Sequence, residues 1–250
     1  MRILLAVAIG LLLLGAILAR ADSAPQAAFA RANEAYAAGD YREAAEELHS
    51  LLEKGVVSSA LLYDLGNAHA KDGRPGPAIL AYERALSLAP RDPDILANLR
   101  QTRSAANLPE PERDRWQAIA ATGTVDDWAW AAIAGVVLTC LAIARHALRI
   151  DEDRPPSRAL VATGLVGLVA AAAATGLCLS RLEELDRSVL IAEAPALRVA
   201  PFETATISTE LPSGLIVDVE RRHDDFALVR TDDGQAGWMP GADVAEILPP

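Results

Sequence analysis

Leu160-Val-Ala-Thr-Gly-Leu-Val-Gly-Leu-Val-Ala-Ala-Ala-Ala-Ala-Thr-Gly-Leu-Cys-Leu179 carries no charged side chain and no polar stripe. A helix built from it offers no face to water. Upstream, Trp128-Ala-Trp-Ala-Ala-Ile-Ala-Gly-Val-Val-Leu-Thr-Cys-Leu-Ala-Ile-Ala144 is equally uncharged. Each run approaches the ~20 residues that a helix needs to cross a bilayer core. The pair predicts a two-helix transmembrane hairpin, with spans at residues 128–149 and 159–181 and a loop at 150–158.

Two crossings return the chain to the side it left, so the segments before and after the hairpin share one compartment. The connecting stretch carries Arg145, Arg149, Arg154 and Arg158. Arginine-rich loops tend to stay cytoplasmic, while Asp151, Glu152 and Asp153 count little toward orientation. Both flanking regions are therefore expected on the periplasmic side of a bacterial inner membrane. The start of the chain agrees: Arg2, an apolar run from Ile3 to Leu18, and Ala19-Arg20-Ala21 form a signal sequence (residues 1–21), either cleaved after Ala21 or kept as an anchor.

The net charge is −11, and no block of Lys and Arg stands out against it, which argues against nucleic acid as a partner. The cysteines, Cys140 and Cys178, both fall inside the hairpin, with no CxxC and no His/Cys cluster at ligand spacing. His49 and His69 each stand alone on a predicted helix and are assigned no chemistry. Neither a metal, a cofactor nor a catalytic residue is expected, and no nucleophile or paired acid and base is recognisable.

Residues 22–107 are Ala-rich and self-similar. Superimposing Ala32 on Gly66 also places Gly39 on Gly73, Ala44 on Ala78, Leu48 on Tyr82 and Leu51 on Ala85. The 34-residue offset is the tetratricopeptide (TPR) period. Small residues at 32/66 and 44/78 let paired helices approach, with Tyr82 filling the space between them. Gly39-Asp40 and Gly73-Arg74 mark the turns. Asp92-Pro93 starts a capping helix, Asp92 as N-cap and Pro93 at the first helical position. Two repeats and a cap are fewer than the three usually needed, so support from the membrane or a partner is expected.

Pro109 and Pro111 end the helical pattern and open a linker and interfacial segment, residues 108–127. There, residues 116–121 suggest a short helix on the membrane. Trp116, Trp128 and Trp130 suit the headgroup layer, and Asp126 is placed as cap of the first span. Ala131/Gly135 and Ala172/Gly176 offer small faces for packing the two spans together.

Beyond Asp186 the period becomes alternating, in Val189-Leu-Ile-Ala, Leu215-Ile-Val-Asp-Val-Glu, Phe226-Ala-Leu-Val-Arg-Thr and Gln235-Ala-Gly-Trp238, with a turn at Asp232-Asp233-Gly234. Short strands separated by turns predict a small all-β barrel over residues 187–250. The order Leu197-Arg198, Pro201, Leu211, Gly214, Val217, Val219, Phe226, Val229, Gly234, Gly237-Trp238 is similar to bacterial SH3 (SH3b-type) domains. Phe226 stands where that family usually has tryptophan.

Together the modules resemble the BatE proteins of bacterial aerotolerance operons. The resemblance is carried by Ala32-Asn33-x-x-Tyr36-x-x-Gly39-Asp40-Tyr41, Leu65-Gly66-Asn67-Ala68, Ala78-Ile79-Leu80-Ala81-Tyr82-Glu83-Arg84-Ala85-Leu86 and Asp92-Pro93-Asp94. It implies an inner-membrane scaffold acting with von Willebrand A-domain membrane proteins and a MoxR-type ATPase. Cell-wall anchoring, with the SH3-like domain on peptidoglycan, is the alternative, and an envelope assembly or maturation factor is another.

In a TPR array the first helix of each repeat lines the concave face. Asn33 and Asn67 occupy equivalent positions on it, and Lys71 lies one turn beyond Asn67. Amides that donate and accept, together with an ammonium, suit the backbone or terminal carboxylate of an extended peptide. Asp64 opposes an anion there. Asparagines bonded only to neighbouring helices are the competing reading, and Trp238 is the second candidate contact, on the SH3-like domain.

Overall fold

The computed structural model describes residues 26–148 and 158–248. The signal sequence, Arg149 and Arg154 lie outside the described residues. Helix α1 covers residues 26–38. It is followed by α2 (Tyr41–Glu53), α3 (Ser59–Lys71), α4 (Pro75–Leu88) and α5 (Pro93–Ala105). The boundaries follow local chemistry. Gly39 and Gly73 take φ of 89° and 75° at the turns inside each helix pair, a region that side chains with a Cβ avoid. The Ser58 side chain accepts from Leu61 N at 3.1 Å, and that of Asp92 accepts from Asp94 N at 3.0 Å and Ile95 N at 3.3 Å, with Pro93 at the first position of α5. The expected cap is therefore present.

Packing inside the helix pairs is equally specific. Ala32, Ala44 and Ala78 are buried, and a Cβ on Gly66 would stand 2.5 Å from Tyr82 Cε1. The tyrosine ring occupies the room that the glycine leaves. Ala44, Leu48 and Leu51 of the first pair share an apolar cluster with Leu61 and Leu65 of α3, which joins the two pairs.

Two long helices follow the short α6 (Arg115–Ala120): α7 (Val125–Ala147) and α8 (Arg158–Leu185). Both are long and apolar enough to cross a membrane. Only 11% and 22% of their apolar windows are buried, so the described residues leave most of each apolar surface uncovered. Their starts and contacts correct two expectations. Thr124, not Asp126, caps α7: its hydroxyl accepts from Asp127 N at 3.1 Å while Asp127 Oδ2 accepts from Thr124 N at 2.9 Å, a reciprocal capping box. The close seam runs from Gly135 and Thr139 to Gly167 and Ala171, where a Cβ on Gly135 would lie 2.7 Å from Gly167 O. Ala131 and Ala172 instead face outward, and Gly176 receives the Trp116 ring of α6, which a Cβ there would meet at 3.2 Å. Antiparallel helices expose different small rows to each other at different levels, and the four-residue spacing alone does not say which row is used.

The C-terminal strands are β1 (Ser188–Leu190), β2 (Ala196–Arg198), β3 (Ile207–Glu210), β4 (Ile216–His223), β5 (Phe226–Arg230), β6 (Ala236–Pro240) and β7 (Val244–Glu246). They pair antiparallel in the order β3-β2-β6-β5-β4-β1-β7. The terminal strands β3 and β7 are not hydrogen-bonded to each other, so the sheet stays open instead of closing as the expected barrel. Its inner face buries Leu197, Val217, Ala227, Val229 and Met239 in one cluster.

The sheet is not a separate body. Val189 and Ile247 share an apolar cluster with Ile79, Tyr82 and Leu86 of α4, Ile95 and Leu99 of α5, Leu108 of the linker and Leu185 of α8. A Cβ on Gly76 would meet Leu190 O at 2.5 Å, and one on Gly214 would meet Ile79 Cδ1 at 2.5 Å, so α4 and the sheet touch backbone to backbone. The support that two repeats lack comes from within the same chain.

Candidate functional site

Helices α1, α3 and α5 form the inner wall of the array, and between them lies an open groove of about 620 Å³. Tyr36, Tyr63, Asn67, Lys71, Tyr82, Asn98, Gln101 and Thr102 line it. The structure thus brings Asn67 and Lys71 together. Asn33 is exposed and lines an adjoining cavity of about 110 Å³ with Asp64, and Asn67 and Tyr36 border both spaces.

Asn67 is held from one side. Its Oδ1 accepts from the Tyr82 hydroxyl at 2.7 Å and from Asn98 Nδ2 at 2.8 Å, and the same Asn98 nitrogen donates to the Tyr63 hydroxyl at 3.0 Å. Neighbouring helices therefore consume the acceptor of Asn67, as the competing reading requires. The Nδ2 donors, however, have no protein partner among the described residues, so the amide offers donors alone to the groove. Lys71 adds an exposed ammonium at the same wall. Burial raises the pKa of the Asp64 carboxyl.

The cap helix supplies Asn98, Gln101 and Thr102, which the sequence reading did not single out. A signal was present, since one further step of the repeat carries Asn33 and Asn67 onto Gln101, a third amide on a third inner helix.

Residues 29–93 match the tetratricopeptide repeat family model. The matched TPR segment runs from α1 to the first residue of α5, so the groove's far wall lies beyond it. No curated protein matches the chain. TPR segments generally mediate contacts between proteins, and this groove has the concave, polar-walled form such contacts use.

Trp238 is remote from the groove, on β6. The alternation along that strand buries Gly237 and Met239 and leaves Trp238 half-buried on the other face. It pairs across the sheet with Leu228, and its ring stands 6.2 Å from that of His223, edge to face. His69 is partly buried, and its Nδ1 has no hydrogen-bond partner among the described residues. Its pKa is pushed down to about 4, first by burial and then by Arg74. Cys140 and Cys178 are free thiols.

Proposed function

We propose that the chain is a non-catalytic membrane scaffold whose TPR groove holds an extended segment of a protein partner. The observation that carries this is the asymmetry of Asn67: its acceptor is satisfied inside the protein and its donors face an open groove beside Lys71. Such a wall complements peptide carbonyls or a terminal carboxylate.

In this reading α7 and α8 are the membrane anchor. The packing of α4 on β1, and the bonds from Arg84 to the carbonyls of Glu246 and Ile247, make one body of the regions on either side of the hairpin. That unity supports two crossings with both regions on one side, which the arginines of the loop make the periplasm. The open sheet takes the part of an SH3-like (SH3b) domain with Trp238 on its outer face. The order of modules supports a place in a Bat complex of the envelope, with von Willebrand A-domain proteins and a MoxR-type ATPase.

Two measurements test the proposal. Alkaline phosphatase fused after Pro250 should be active and fused after Ile150 inactive, and the reverse pattern overturns the orientation. Membrane proteins that co-purify with the wild-type chain should be lost from an Asn67→Ala/Lys71→Ala double variant, by roughly 2 to 4 kcal/mol of capture energy. Undiminished capture at unchanged stability removes the groove from the mechanism.

A further inference from the structure

A second cavity, of about 210 Å³, opens between α4, α5, the linker and the end of α8. Its walls hold Arg100 and Arg103 of α5, Arg113 of the linker and Arg181 of α8. This is a concentration of guanidinium groups in a chain whose net charge is −11. Three carboxylates answer them. Glu83 pairs with Arg103 at 2.5 Å, Glu110 lies 3.6 Å from Arg103, and Glu184 is shared between Arg113 and Arg181 at 2.5 and 2.6 Å. One positive charge is left over. It belongs to Arg100, which is exposed and has no ion pair or hydrogen bond among the described residues.

Arg181 is the second anomaly. It is 4% exposed. Its Nη2 donates to Leu86 O at 3.3 Å and its Nη1 bonds Glu184, yet its Nε is buried with no acceptor. A buried guanidinium donor without an acceptor is costly, and a bound oxyanion would satisfy it.

The position of the cavity names the anion. Arg181 ends the apolar run of α8, and Ala121, also in the wall, lies three residues before Thr124, the cap of α7. In the membrane reading proposed above, on which this inference rests, the cavity sits where both long helices leave the hydrocarbon. Within about two turns of those ends stand the Trp116 ring, on Gly176, and the exposed Trp130, and indole rings favour the headgroup layer.

We infer that this cavity binds the phosphodiester of an anionic phospholipid, with the exposed Arg100 and the buried Arg181 guanidinium in its walls. A single negative charge matches the single uncompensated positive one. The planar guanidinium fork fits phosphate oxygens better than a lysine ammonium does. The lipid would tie the cap helix of the TPR array to the end of the second span, and so fix the groove's height above the membrane.

The test uses the full chain reconstituted in nanodiscs of phosphatidylcholine alone or with phosphatidylglycerol, read by native mass spectrometry of retained lipid and by thermal melting. Phosphatidylglycerol should be retained over phosphatidylcholine and raise the melting temperature. Arg100→Gln, an exposed change that leaves the buried pairs intact, should cut the preference about tenfold. Arg42→Gln, distant on α2, controls for bulk charge and should not change it. Inorganic phosphate added to phosphatidylcholine discs should not reproduce the stabilisation; if it does so through Arg100, the ligand is free phosphate and the lipid assignment falls. Equal retention of both lipids, or a preference unchanged in Arg100→Gln, overturns the site while leaving the membrane reading intact. Failure to insert into either disc overturns the membrane reading and this site with it.

Discussion

The Tyr82 hydroxyl donates to Asn67 Oδ1 at 2.7 Å, and this bond decides which end of the amide faces the groove. A free asparagine presents a donor and an acceptor interchangeably. Here the fold fixes the acceptor inward, through a tyrosine whose own room depends on Gly66. A packing choice inside one repeat thereby sets the chemistry of the binding wall.

Asn67→Asp tests that polarity with little change of shape. The inward oxygen still accepts from Tyr82 and Asn98, but the outward donors become an anionic oxygen. Stability should change little, while capture of a carbonyl- or carboxylate-bearing segment should fall by ~1.5–3 kcal/mol, the range for bonds to charged groups. Titration with the captured partner, alongside a melt of each variant, checks it. Retained affinity would mean that the ligand does not use this amide.

Gly66→Ala sets two effects against each other. Alanine favours a helix over glycine by ~1 kcal/mol, but its Cβ would lie 2.5 Å from the Tyr82 ring. Overpacking of that kind costs ~1–3 kcal/mol, so a net loss is expected in denaturant titration. The first repeat has already solved the same problem with Ala32 and Leu48. Gly66→Ala/Tyr82→Leu transplants that pair and should recover most of the loss. A single variant more stable than wild type would show that the ring yields freely.

These residues also show what the chain disclosed and what it hid. The glycine–tyrosine pair and the Asp92-Pro93 cap were legible because each is a local rule repeated at a fixed offset. Gln101 was legible too, had the amide positions been carried one period further. Thr124 is hidden because Asp126, two residues on, is an equally good cap residue until the reciprocal bond with Asp127 is seen. Strands β2, β3 and β7 are three or four residues long, too short for alternation to register. The docking of the sheet on α4 left no periodic trace, since Gly76 and Gly214 resemble ordinary turn or helix-start residues until their neighbours are known.

His69 makes stability depend on pH. Its pKa is pushed down to about 4 from an ordinary 6.5, by burial first, then by Arg74 and His49, with Asp72 acting in the opposite sense. Because the folded value lies below the unfolded one, the unfolded chain takes up the proton first. The contribution is complete above about pH 6.5, is lost as pH falls toward 4, and changes no further below that. The whole loss is on the order of 3 kcal/mol, lessened by the partial exposure of the ring. His69→Gln should flatten denaturation midpoints measured between pH 7 and about 4.5. An unchanged slope would assign the pH dependence to carboxylates.

Arg84 is where the helical array holds the far end of the chain. From α4 its Nη2 donates to Glu246 O at 2.7 Å and its Nε to Ile247 O at 3.2 Å, across the boundary at which Ile247 enters the shared apolar cluster. Half-buried, it lies where desolvation lowers its pKa, and the nearby Glu246 carboxylate acts in the opposite direction. Removing it leaves two carbonyls facing an apolar seam without donors. Arg84→Ala should therefore cost ~1.5–3 kcal/mol. The loss should appear as faster hydrogen exchange in β1 and β7, which pair with each other, while β5 and β6 stay protected. Arg84→Lys keeps the charge but offers no fork, and should restore only part of the protection. Uniform acceleration through the whole sheet would mean that Arg84 supports the fold of the sheet itself. Exchange confined to β1 and β7 would locate the joint between the TPR array and the sheet at this one side chain.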